Sequence, residues 1–175
     1  MGDIHLVESK QGQKDWELKA SAALGFQGKG LWELEKVNVV FHSKEGVTFA
    51  VQGDSGTVES NTKNMIIRGQ AITRSSNGYE FSSESIEYKA AERVLVSPKS
   101  VVMRGPPDSK GVRMALTGGS MMTTLSDSQM NILGNVEALQ TVRGDKPLRI
   151  TSEKGVFSGQ SWETHFVGNV IMQVD

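Results

Sequence analysis

Three histidines come first, because imidazole is the side chain best suited to acid–base work near neutral pH and to holding transition metals. His5, His42 and His165 stand far apart in the chain. None has another histidine or a carboxylate pair at the short spacings that would set ligands on one face of an element. Their expected place is the solvated surface. The 20 Asp and Glu residues are scattered through strand surfaces and turns, with no spacing that marks a general acid and its base. Gly118-Gly119-Ser120 lacks the flanking elements of a nucleophile elbow or a phosphate loop and reads as a turn. Cysteine is absent, so there is no thiolate nucleophile, thiolate metal site or disulfide framework. These residues predict no enzyme, no metal site and no cofactor.

The remaining function classes depend on binding, and charge narrows them. Lys and Arg number 19, giving a formal net charge of -1. A nucleic-acid binder normally carries a basic footprint, so none is expected here. No polybasic run marks a membrane surface, and no run of apolar residues is long enough for a membrane span. Met1-Gly2-Asp3-Ile4-His5 lacks the charged and apolar regions of a signal peptide. That start fits either a cytosolic protein or one whose N-terminus has been trimmed.

The elements that would position any binding residue follow period two. Trp16-Glu17-Leu18-Lys19-Ala20, Val37-Asn38-Val39-Val40-Phe41-His42, Tyr79-Glu80-Phe81-Ser82-Ser83 and Ser85-Ile86-Glu87-Tyr88-Lys89 all alternate. Alternation places apolar side chains on one sheet face and polar ones on the other. Turn signals separate the runs: Ser43-Lys44-Glu45-Gly46, Gly53-Asp54-Ser55-Gly56, Ser76-Asn77-Gly78 and Arg143-Gly144-Asp145-Lys146-Pro147. Asn77-Gly78 between alternating runs predicts a hairpin. Residues 85–94 are the best helical candidate, and they alternate as a strand would. The expectation is an all-β chain with a loose, polar segment over 1–13 and a single domain over 14–175.

A longer repeat overlies this pattern. Apolar strands end or kink at Gly69, Gly105, Gly134 and Gly168, at spacings of 36, 29 and 34 residues. That period suits a repeated two-strand unit. Two residues before each glycine stands Ile67, Met103, Ile132 or Phe166, all apolar; the adjacent positions include Arg68, Arg104, Gln70, Asn135 and Asn169. The glycine therefore shares a face with an apolar row, where it leaves room for a bulky neighbour or allows a sharp bend. Most aromatic residues fall on the same phase, as do Met65, Met103, Met130 and Met172, which are adaptable fillers. The alternation by itself favours an ordinary sandwich core, and an apolar groove would show the same pattern.

The order of these segments resembles a known family. Trp16-Glu17-Leu18-Lys19-Ala20, then Leu34 to Phe41, then Phe49-Ala50-Val51-Gln52-Gly53-Asp54-Ser55-Gly56-Thr57-Val58 and Asn64 to Gly69 are similar to the lipopolysaccharide-transport family of LptC, LptA and OstA-like domains. Gly134-Asn135-Val136 and Gly168-Asn169-Val170 look like that family's recurring strand signature. The opening segment is most similar to LptC, and the chain runs about one unit longer at its C-terminal end. The resemblance implies a twisted β-jellyroll of two facing antiparallel sheets with lipid acyl chains in an apolar groove between them. It further implies a periplasmic component, tethered by an N-terminal span that this sequence lacks. That component passes lipopolysaccharide from inner to outer membrane along a bridge of proteins joined by edge strands. An inner-membrane ABC transporter complex supplies the work, and the same edge pairing allows self-association. The inward-phase candidates for the groove are Val37, Val39, Phe41, Phe49, Val51, Met65, Ile67, Phe81, Met103, Ile132 and Phe166. The alternative is a structural or glycan-binding β-sandwich with a closed core.

Overall fold

The alternation is realised as strand throughout the computed structural model, which describes residues 4–10, 13–27, 30–43, 46–107, 109–141, 147–158 and 164–174. In chain order the strands are β1 (Ile4–Lys10), β2 (Gln13–Ala20), β3 (Ala22–Gln27), β4 (Leu31–His42) and β5 (Thr48–Glu59). Then come β6 (Met65–Ser75), β7 (Glu80–Lys89), β8 (Val94–Ser97), β9 (Val101–Arg104) and β10 (Ala115–Gly118). The last are β11 (Ser120–Thr124), β12 (Gln129–Thr141), β13 (Pro147–Ser158), β14 (Thr164–Val167) and β15 (Ile171–Val174). Every pairing is antiparallel. There is no α-helix among the described residues, and no helix among them is long and apolar enough to cross a membrane. Residues 85–94 run as the end of β7 and a turn. Residues 4–10, inside the segment expected to be loose, form β1 against β2 with Leu6 opposite Leu18.

The long strands β4, β5, β6, β7, β12 and β13 each cross from one layer to the other near their middle. The first layer runs β1, β2, β4, β5, β6, β7, β9, β10, β12, β13, β15. The second runs β3, β4, β5, β6, β7, β8, β11, β12, β13, β14. One face of each layer is buried against the other. This is the two-layered β-jellyroll that the resemblance implies.

The crossing has a local chemistry. Gly69-Gln70 in β6, Gly134-Asn135 in β12 and Gly168-Asn169 between β14 and β15 are all left-handed at both residues. In β6 and β12 each pair is an extra step that keeps buried positions an even distance apart, as in Ile67 and Ala71 or Ile132 and Val136. Their partner strands change phase instead, so Phe81 and Ile86 are both buried although they stand an odd number of positions apart. Serines close these turns: Ser83 Oγ donates to Ser85 O at 3.0 Å and Ser152 Oγ donates to Lys154 O at 3.1 Å. Two glycines have no substitute here. A Cβ on Gly69, at φ +80, would sit 2.7 Å from the Asp54 side chain, and one on Gly168, at φ +87, 2.2 Å from Glu153 Oε2.

Two sequence expectations are corrected at these kinks. Gly53-Asp54-Ser55-Gly56 is not a turn between strands but the crossing inside β5, because its partners continue on both sides of it. Gly105 does not belong to the glycine repeat: it has no left-handed φ and closes β9 with its N–H donating to Met114 O at 2.9 Å. Pro106 follows it, and a proline locked near φ −65° cannot supply the second left-handed residue. Asn77-Gly78 does form the β6–β7 hairpin, with Gly78 at φ 102. Of the proposed Arg143–Pro147 turn, residues 143–146 lie outside the described residues.

The kink mechanism makes a prediction. Gly69→Ala combines left-handed strain with a clash on Asp54 and should cost about 2–3 kcal/mol. Gly46, also left-handed at φ +82 but with open space around it, should cost only about 1 kcal/mol on the same change. Urea denaturation of both variants measures the difference.

Candidate functional site

The interior between the layers is where the sequence candidates converge. Val37, Val39, Phe41, Phe49, Val51, Phe81 and Met103 point inward from the first layer, and Met65, Ile67 and Ile132 from the second; all are buried. Phe166 packs against them half-buried. Register ties them into rows. In the first layer Leu6, Leu18, Val39, Val51, Thr73, Phe81, Met103, Leu116, Ala138, Ile150 and Met172 are successive cross-strand partners. In the second, Trp32, Val58, Met65, Tyr88, Leu95, Thr123, Met130, Phe157 and Thr164 follow one another in the same way. Each row is apolar apart from its threonines.

Several interior residues lie outside the sequence candidates, among them Leu34, Ile86, Leu95, Leu116 and Phe157. The signal that would have found Leu34 and Ile86 is the change of phase at each kink, which simple alternation hides. The aromatic residues divide as a core requires. Trp16, Phe41, Phe49, Phe81, Phe157, Tyr79 and Tyr88 are buried, whereas Trp32 is 39 % exposed. The side chains of Phe26 and Trp162 lie outside the described residues. Met172, placed on the inward phase as a filler, is 62 % exposed.

The layers meet along a polar seam opposite the kinks. Ser43, after β4, donates to Leu125 O and contacts Ser128 Oγ. Arg93, between β7 and β8, donates through Nη2 to Asp15 Oδ1 at 2.6 Å and to His42 O at 2.9 Å. Asn77 Nδ2 reaches Ser158 O at 3.5 Å. Behind the seam Phe41 and Tyr88 rings pack across the layers with centroids 4.6 Å apart. Burial, and then the nearby Asp15 charge, push the Tyr88 phenol up to about 12; burial also raises Tyr79. Burial thus favours the neutral form of both phenols.

The histidines are dispersed. His5 is exposed and pairs with Glu17 at 2.8 Å, His42 offers only its backbone carbonyl to the seam, and His165 is exposed on the outer face. No group of three His, Cys, Asp or Glu residues able to hold a metal occurs among the described residues. A cleft of about 980 Å3 lies outside the first layer, lined by Gln70, Ile72, Ser82, Glu84, Lys99 and Val102. It does not open on the interior rows: Ile72, Ser82 and Val102 are outward partners of one another.

Both ends of the molecule carry edge strands. Among the described residues β1 pairs only with β2 and β3 only with β4; at the other end β14 and β15 pair only with β13. The first-layer row ends at Met172, which is exposed, as is Val174 beside it on β15, and in the second-layer row Trp32 is partly exposed.

Comparison with known proteins gives a family and a structural likeness. Residues 4–142 fit the family model described as lipopolysaccharide-assembly, LptC-related. The crystal structure of LptH, the LptA-homologous periplasmic component of the lipopolysaccharide transport device of Pseudomonas aeruginosa, superposes with a TM-score of 0.57. That match has 13 % sequence identity and covers 73 % of this chain and 94 % of LptH. No curated protein sequence matches.

Proposed function

The chain belongs to the LptC-related lipopolysaccharide-assembly family, and on that premise we propose that it is a periplasmic lipopolysaccharide carrier. It is a transport component rather than an enzyme. Lipid acyl chains lie between the two layers while the saccharide stays in water. The observation that carries this reading is the pair of apolar rows that cross the layers strand by strand, the first reaching the exposed Met172 at one end and the second carrying the partly exposed Trp32 toward the other. A closed globular core would end its rows under covering side chains. Each methylene kept from water is worth about 0.8 kcal/mol, so a lipid with several chains needs such a path across an aqueous space.

The edges give the path its continuation. β1, β3, β14 and β15, each paired with one strand among the described residues, offer edges that suit strand addition by neighbouring bridge proteins or by another copy of the chain. An N-terminal membrane anchor and an ABC transporter at the inner membrane complete the reading, with the transporter supplying the work of moving lipid outward. Because the interior is filled, acyl chains go in as the layers part, and the seam is where they part most readily. There the layers are joined by side-chain contacts, whereas at the kinks they are joined by continuous backbone.

A photo-crosslinker in place of Ile67 or Phe81 should capture lipopolysaccharide in cells, and one at the outward Ser82 should not. Folded protein with no adduct at either inward position would overturn the carrier reading. It would favour a structural scaffold with a permanently closed core, which the complete burial of Phe41, Phe49 and Phe81 also suits.

A further inference from the structure

Two side chains in the interior rows break their apolar character. Thr73 is 0 % and Thr123 1 % exposed, and neither hydroxyl has a hydrogen-bond partner among the described residues. Thr73 stands between Val51 and Phe81 in the first layer, and Thr123 between Leu95 and Met130 in the second; all four neighbours are fully buried. Valine would fill the same space without a stranded donor, so packing does not account for the hydroxyls. Other inward hydroxyls are satisfied locally, as Ser97 is by Lys99 O at 3.2 Å and Ser152 by Lys154 O at 3.1 Å.

Their depth is the second observation. Thr73 precedes by two residues Ser75, at the turn whose Asn77 reaches Ser158 across the seam. Thr123 precedes by two residues Leu125, whose carbonyl accepts from Ser43 across the same seam. One hydroxyl therefore lies one inward side chain below the seam on each layer. An acylated sugar whose head stays outside and whose chains lie inside has its ester and amide linkages at that level.

We propose that Thr73 and Thr123 form the polar rim of the lipid site, donating their hydroxyls to the ester and amide carbonyls of an acylated sugar that enters through the seam. This inference rests on the carrier reading above. It makes the site selective for acyl linkages over bare hydrocarbon, because a hydrocarbon chain offers the two donors no acceptor and a carbonyl is a stronger one than an acetal oxygen.

The test uses Thr73→Val, Thr123→Val and the double variant, with hexa-acylated lipid A and an alkyl maltoside as probes. The maltoside pairs a sugar with a hydrocarbon chain but has no carbonyl linkage. Each valine should raise Tm by about 2–4 °C, since it removes an unpaired buried donor. Each should also weaken lipid A binding by about 5–10-fold while leaving maltoside binding unchanged. Thr→Ser at the same positions should keep the lipid A preference. Equal loss for both probes would show that the threonines only shape the interior, and unchanged lipid A affinity would show that they do not touch the linkage; either overturns the inference. Wild-type protein that binds neither probe would instead overturn the carrier reading.

Discussion

Oxidising a Ser43→Cys, Ser128→Cys double variant should shut the interior and reduce lipopolysaccharide capture at Ile67 or Phe81 at least tenfold, and dithiothreitol should restore it. The two serine hydroxyls touch across the seam, one from each layer. That contact places their β-carbons within about 5 Å, near the ~4 Å that a disulfide spans. The chain has no cysteine of its own, so the engineered bond has no competitor. The effect is large because the covalent link replaces contacts that thermal motion can break with one that it cannot. A neutral seam hydrogen bond contributes only about 1 kcal/mol. Oxidised protein that captures lipid as well as reduced protein would mean that acyl chains enter at the open ends near Trp32 or Met172, not through the seam.

Arg93→Ala should destabilise the fold by about 3 kcal/mol, more than any other seam change. The guanidinium holds Asp15 at 2.6 Å and His42 O at 2.9 Å, and it touches both layers. The Asp15 side chain is 7 % exposed, so its carboxylate would be left buried without a counter-charge. The Arg93 side chain is 26 % exposed, and water reaching that flank holds the cost near the low end of the range for buried pairs. Replacing both members with hydrophobic residues of similar size, Asp15→Leu with Arg93→Met, should recover most of the loss, because neither desolvated charge remains. Urea midpoints at constant slope measure this, and the double-mutant cycle isolates the coupling. A double variant as unstable as Arg93→Ala alone would show that the pair is needed for geometry rather than for charge balance.

Much of the fold was legible because alternation is a local property. Val37-Asn38-Val39-Val40-Phe41 can bury one face only as a strand, and the structure has β4 there with Val37, Val39 and Phe41 inside. The glycine repeat was legible in part. Gly69, Gly134 and Gly168 share a following amide residue, and all three pairs are left-handed, whereas Gly105 precedes proline and differs. Gly53 to Gly56 was misread as a turn because glycine, aspartate and serine serve a mid-strand kink as well as they serve a loop.

The amino-acid sequence by itself determined the class of the molecule: period-two runs with one apolar face and glycine kinks at a repeat spacing. Only the tertiary structure decided which strands share a layer, where phase changes bring Leu34 and Ile86 inside, and what closes the interior. Those features depend on partners far apart in the chain, such as Arg93 and Asp15, 78 residues apart, or Ser43 and Ser128, 85 apart. Alternation specifies which way a side chain points, but the side chain it meets is set by how the layers are wound. Among the described carboxylates Asp15 is the buried one, and it joins Arg93 to hold the layers together.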